Sequence, residues 1–156
     1  DVAPSRGLGD VYKRQKQMKQ VTAPAEDFVI ECLQSIEGIT GIEAATEDND
    51  PNGNLGKPGA YIAQIYFSHS SVDQDRLFGD SIIEKGTDSG GSIEVYNTVE
   101  DAEKRDKYLA SFDGTFVASG SHKVVGTVIV RTSNELTASQ QKELEESIIA
   151  NLTELK

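Results

Sequence analysis

Residues 122–132, His-Lys-Val-Val-Gly-Thr-Val-Ile-Val-Arg-Thr, form the most strand-like stretch of the chain. β-Branched side chains dominate it, and Val124, Gly126, Val128 and Val130 alternate with Val125, Thr127, Ile129 and Arg131. A strand cannot satisfy its own backbone hydrogen bonds, so this run commits the chain to a sheet. Two other runs offer partners. Residues 60–68 place Tyr61, Ala63, Ile65 and Phe67 on one face and Ile62, Gln64 and Tyr66 on the other, while residues 92–97 turn Ile93 and Val95 inward. Residues 39–46 read as a further strand and residues 116–118 as an edge strand.

Helical patterns separate these runs. Phe28, Val29, Cys32, Leu33 and Ile36 recur at helical spacing between Pro24, suited to a first turn, and Gly38, suited to a C-terminal cap. Cys32 lies on that stripe and reads as an inert buried thiol. Thr98, three residues before Asp101, caps a helix over residues 99–112 that turns Ala102, Leu109 and Phe112 inward. Thr137 and Gln140 form a capping box ahead of a helix bearing Leu144, Ile148, Ile149, Leu152 and Leu155. Residues 69–91 are too long for a plain loop, which predicts a short element near residues 80–84. The expected fold is α+β: a three- to four-stranded, mainly antiparallel sheet with amphipathic helices packed on one face, ferredoxin-like in character. It would form a single domain over residues 24–156.

Charge narrows the function. The 156 residues carry 15 Lys and Arg against 26 Asp and Glu, a net −11, which argues against a nucleic-acid partner. One cysteine excludes a disulfide framework and a multi-cysteine zinc site. The first twenty residues break the pattern: Arg6, Lys13, Arg14, Lys16 and Lys19 outweigh Asp1 and Asp10, leaving −14 on the remainder. They show neither helical nor alternating periodicity, and no apolar core of a signal peptide. Asp10-Val11-Tyr12-Lys13-Arg14-Gln15 looks like the translated adapter read-through found at the ends of metagenomic reading frames. Residues 1–20 are therefore expected to be a disordered leader, its first ~15 residues non-native. The natural start, with any signal or anchor, would have been lost ahead of it.

Few residues suggest chemistry. Asp48-Asn49-Asp50-Pro51-Asn52-Gly53 fits the opening of a calcium loop, in which alternate oxygens converge and Gly allows the sharp turn. The twelfth position, where an EF-hand needs a bidentate Glu, is Gly59. This leaves a looser calcium site on Asp48, Asp50 and Asn52 set against a plain turn made of the same residue types. Asp88-Ser89-Gly90-Gly91 matches the surroundings of a chymotrypsin-like nucleophile. His69 lacks the matching context, however, and the chain is too short for a double barrel. A hydrolase on Ser89, His69 and Asp88 is the remote alternative. His122 reads as a polar residue at a strand start, and no other catalytic residue or cofactor site is expected.

Three stretches taken in order carry a resemblance. They are Asp50-Pro51-Asn52 with Leu55-Gly56-Lys57-Pro58 and Tyr61; residues 90–96, Gly-Gly-Ser-Ile-Glu-Val-Tyr, with Asp101-Ala102, Arg105 and Tyr108-Leu109; and residues 126–131, Gly-Thr-Val-Ile-Val-Arg, with Leu136-Thr137 and Gln140. Over residues 24–156 this order resembles an uncharacterised extracytoplasmic domain of Gram-positive bacteria. That domain is typically C-terminal in membrane-anchored or lipoprotein-like chains. The resemblance implies a non-catalytic binding, sensing or structural module at the bacterial cell surface. Its partner would be an extracellular or cell-surface ligand, it would meet the membrane only through the lost anchor, and calcium would be available to it. Loops 48–59 and 69–91 would be its working surface.

Overall fold

The computed structural model describes residues 2–115 and 120–156. Five strands among them, β1 (Ile39–Ala44), β2 (Ala63–His69), β3 (Gly90–Val95), β4 (His122–Val125) and β5 (Val128–Thr132), form one sheet. Its order is β1-β2-β3-β5-β4, and every neighbouring pair is antiparallel. The helices are α1 (Val2–Gln20), α2 (Glu26–Gln34), α3 (Ile82–Lys85), α4 (Val99–Ala110) and α5 (Ala138–Thr153). The α+β class is as the sequence predicts, with one strand more than the upper expectation. The element order also differs from the β-α-β-β-α-β of ferredoxin-like folds.

Alternation along the central strands explains how the layers form. Ile65, Ile93 and Val130 lie side by side across β2, β3 and β5. All three are fully buried, in one cluster with Leu33 of α2 and Ile148 and Leu152 of α5. Each such side chain contributes about 1.5–3 kcal/mol by leaving water. The intervening residues, Glu94, Tyr96, Ile129 and Arg131, face the other way. There Tyr96 and Ile129 pack with Ala102 and Leu109 of α4. Helices therefore cover both faces of the sheet, which corrects the one-sided arrangement expected from the sequence. The reason is visible in β5, whose residues are buried throughout.

Other local differences have physical causes. The run over residues 122–132 is not one strand but a tight hairpin, with Val125 paired to Val128 across Gly126 and Thr127. Gly126 has φ +59°, and a Cβ there would collide with Val21; the turn needs a glycine that the alternation disguises as a strand residue. Tyr61 does not share the inward face of Ala63, Ile65 and Phe67. It precedes β2, and its ring joins Tyr96 in the second cluster. The long 69–91 connection holds two single 3-10 turns, Gln74–Arg76 and Gly86–Ser89, and α3, capped by Ser81. Thr98 and the Thr137/Gln140 capping box start α4 and α5 as predicted. The edge strand expected at residues 116–118 falls outside the described residues.

Residues 1–20 require the largest correction. Val2–Gln20 is helical rather than disordered, although Leu8, Val11, Tyr12 and Met18 remain exposed. The end of α1 is tied down: the Gln17 amide donates to the Thr153 carbonyl (2.9 Å) and the Gln20 amide to the Leu152 and Glu154 carbonyls (both 2.7 Å). Beyond it Val21 is buried in the core, its carbonyl accepts from Thr127 N–H (3.0 Å), and Ala23 N–H donates to the Thr127 hydroxyl (2.7 Å). The folded unit thus reaches upstream of Pro24. Hydrogen bonds from amide side chains to carbonyls made this docking, and a search for apolar periodicity does not register them.

His122, at the start of β4, fastens the sheet to α4. Its Nδ1 lies 2.6 Å from Asp106 and its Nε2 3.0 Å from Asp113. Burial disfavours the charged ring, but the two carboxylates outweigh it and raise the His122 pKa. A raised folded value means stabilisation that is complete below the ordinary histidine value of about 6.5 and lost as pH rises through the raised value. The urea midpoint is therefore expected to fall across that window in the natural chain and to stay flatter in His122→Asn. Parallel profiles would show that the ring carries no linked proton.

Candidate ligand-binding cleft

The 46–61 loop is built around one carboxylate. Asp50 is only 9% exposed. It accepts from the backbone N–H groups of Asn52 (3.1 Å), Asn54 (2.8 Å) and Leu55 (2.9 Å) and from the Tyr61 hydroxyl (2.6 Å). Burial works against its charge, yet Tyr61 and the three N–H donors prevail and hold the carboxyl below its ordinary value. The Asn52 amide donates to the Tyr61 oxygen (3.3 Å). Burial and the Asp50 charge push the Tyr61 phenol up, so it stays a hydrogen-bond donor.

A second anchor lies under α4. Glu94, fully buried on β3, receives Arg105 through Nε (3.1 Å) and Nη2 (3.4 Å), Arg131 through Nη1 (3.0 Å) and the Tyr96 hydroxyl (2.8 Å). Desolvation alone would neutralise it, but the two guanidinium groups keep its pKa below the ordinary value. Tyr96 is pushed up by burial and by this carboxylate. The Tyr61 and Tyr96 rings meet edge-to-face with centroids 6.2 Å apart. This contact joins the Asp50 and Glu94 anchors into one buried support.

Above that support, a cleft of about 400 Å³ opens between the loop and α4. Loop residues Lys57, Pro58 and Tyr61 form one wall; Asp101, Lys104, Arg105 and Tyr108 of α4 form the other, with Tyr96 also in the lining. Tyr108 is 57% exposed and touches Phe112 edge-on. A larger groove of about 690 Å³ runs between the end of α2 and α5. Its rim consists of exposed polar ends such as Ser35, Glu37, Glu143 and Ser147. The smaller cleft is the better candidate, because two buried carboxylates fix its walls.

Asp48 is exposed, Asp50 is turned inward, and Asn52 serves Tyr61. Both Asp50 oxygens already face hydrogen-bond donors, an arrangement that suits an anion's surroundings rather than a cation's. Millimolar calcium is accordingly expected to leave the melting midpoint unchanged; an upward shift abolished in Asp50→Asn would restore the calcium loop. Ser89 is fully buried, its hydroxyl 2.9 Å from both the Phe67 and Gly86 carbonyls. His69 Nδ1 accepts Ser71 N–H (3.1 Å), and burial lowers its pKa. Burial raises the Asp88 carboxyl, with Glu135 adding to the effect. No hydrogen bond joins Ser89, His69 and Asp88 among the described residues. The adjacent Gly91 leaves room for the Phe67 ring, which accounts for that glycine by packing.

Periodicity did not reveal Glu94, Arg105 and Arg131 as partners. The available signal was a charged residue in each of two strands whose neighbours are all apolar or small. No helix among the described residues is long and apolar enough to cross a membrane. No family model, curated protein or solved structure matches the chain.

Proposed function

We propose that this chain is a non-catalytic binding module, extracytoplasmic in location, and that the cleft between the 54–61 loop and α4 is its ligand site. One observation carries the reading. Lys57, Pro58, Tyr61, Tyr96, Asp101, Arg105 and Tyr108, which come from two separated motifs of the family resemblance, meet around this single cleft. Tyr61 and Tyr96 are buried beneath it, while Lys57, Pro58 and Tyr108 are exposed around it. Support also comes from preorganisation: Asp50 and Glu94 fix the walls before any ligand arrives, which lowers the entropic cost of binding.

Amide shift mapping of the full chain with a chemically mixed fragment library tests the site. Perturbations are expected to cluster on residues 54–61 and on α4. Clustering in the α2/α5 groove, or none anywhere, would overturn the assignment. The location rests on the resemblance, and fractionation of the source cells tests it: recovery outside the cytoplasm is expected, and recovery from the cytoplasm alone counts against it.

A further inference from the structure

A protein of net charge −11 repels anions as a whole. The cleft is locally richer in cations: Lys57, Lys104 and Arg105 line it with Asp101, and of the three only Arg105 is already paired, with Glu94 beneath. Neither lysine makes an ion pair or side-chain hydrogen bond among the described residues, and both are exposed. Arg105 spends Nε and Nη2 on Glu94, and its Nη1 has no acceptor among the described residues. A guanidinium already clamped by a buried carboxylate loses little freedom when it takes a further acceptor. Tyr108 stands one turn beyond Lys104 and Arg105 and offers an exposed ring beside these cations.

Resting on the ligand site proposed above, we infer that the cleft takes a small organic anion: a carboxylate or phosphate ester carried on a sugar-sized ring. Its charge would sit among Lys57, Lys104 and Nη1 of Arg105, and its ring would lie along Tyr108 and Pro58. A cleft of about 400 Å³ is within the range of small-molecule pockets. Asp101, an acceptor, would orient the ring by taking a hydrogen bond from a ligand hydroxyl.

Calorimetric titration of the full chain with glucuronate, glucose 6-phosphate, glucose and inorganic phosphate tests this. At least one charged sugar is expected to bind, about tenfold or more tightly than glucose and than phosphate alone. Which of the two binds identifies the anion as a carboxylate or a phosphate. The double variant Lys57→Gln/Lys104→Gln should lose about tenfold or more of that affinity with its melting midpoint unchanged. Glucose binding as well as the charged sugars would overturn the anion while leaving the site intact. Binding by neither charged sugar overturns the inference. The fragment map then judges the cleft separately: shifts there with no charged-sugar binding sink only the ligand class.

Discussion

Replacing Glu94 by alanine is expected to lower the unfolding free energy by about 3–5 kcal/mol, measured by urea denaturation. The size follows from what remains. Two guanidinium groups lose the carboxylate they share, and Arg131 is only 8% exposed. A triple replacement, Glu94→Leu with Arg105→Met and Arg131→Met, should recover much of the loss, since apolar groups of similar volume need no partners. Acid stability provides a second readout. The Glu94 pKa is depressed in the fold, so its contribution is present above the ordinary unfolded carboxyl value and is lost as pH falls through the depressed one. Glu94→Ala should therefore flatten the acid limb. A loss under about 1 kcal/mol would mean that the pairing is weaker than its geometry.

Asp50→Asn is expected to cost about 2–3 kcal/mol and to disorder the cleft wall. The volume is unchanged, but an amide offers one acceptor oxygen and places an NH₂ among donors that need acceptors. The Asn54, Leu55 and Tyr61 donors converge on Oδ2, and Asn52 on Oδ1, so no flip of the amide satisfies all four. Tyr61→Phe removes one of them and should cost about 1–2 kcal/mol. The double variant should fall short of the summed losses by about 1 kcal/mol, the coupling of a shared hydrogen bond. Amide shifts confined to residues 50–61 and α4 would place the damage at the cleft. Full additivity would show that Tyr61 and Asp50 act independently.

Much of the architecture was legible because it is written in local patterns. The caps at Thr98 and Thr137 are side-chain rules that operate within one turn, and both formed as read. The inward sets of β2 and β3 from Ala63 and Ile93 onward follow from alternation. Legibility failed where a residue had two valid readings. Gly126 fits a strand face and a hairpin turn equally, and only its close approach to Val21 selects the turn. Tyr61 fits the period of β2, yet its hydroxyl is drawn to Asp50. Asp50 itself was singled out for its oxygens, but the donors around it are backbone N–H groups, whose direction no residue type announces. Glu94 and Arg105 are separated by a turn and two turns of helix, so their pairing needed the fold before it could be seen.

The docking of Gln20 closes the C-terminal end of α1 against the end of α5. Its side chain bonds the Leu152 and Glu154 carbonyls, and Lys156 N–H donates to its Oε1 at 3.2 Å. With the residues ahead of Gln20 removed, a short linker from Lys156 to Gln20 would close the chain. The chain could then be reopened at Phe78, which is 99% exposed and lies far along the sequence from both motifs' cleft residues in the loop and in α4. Such a permuted chain would keep the core from Val21 onward and the cleft while moving both ends to another surface, where a tether or a label would stand clear of the Gln20–α5 contact.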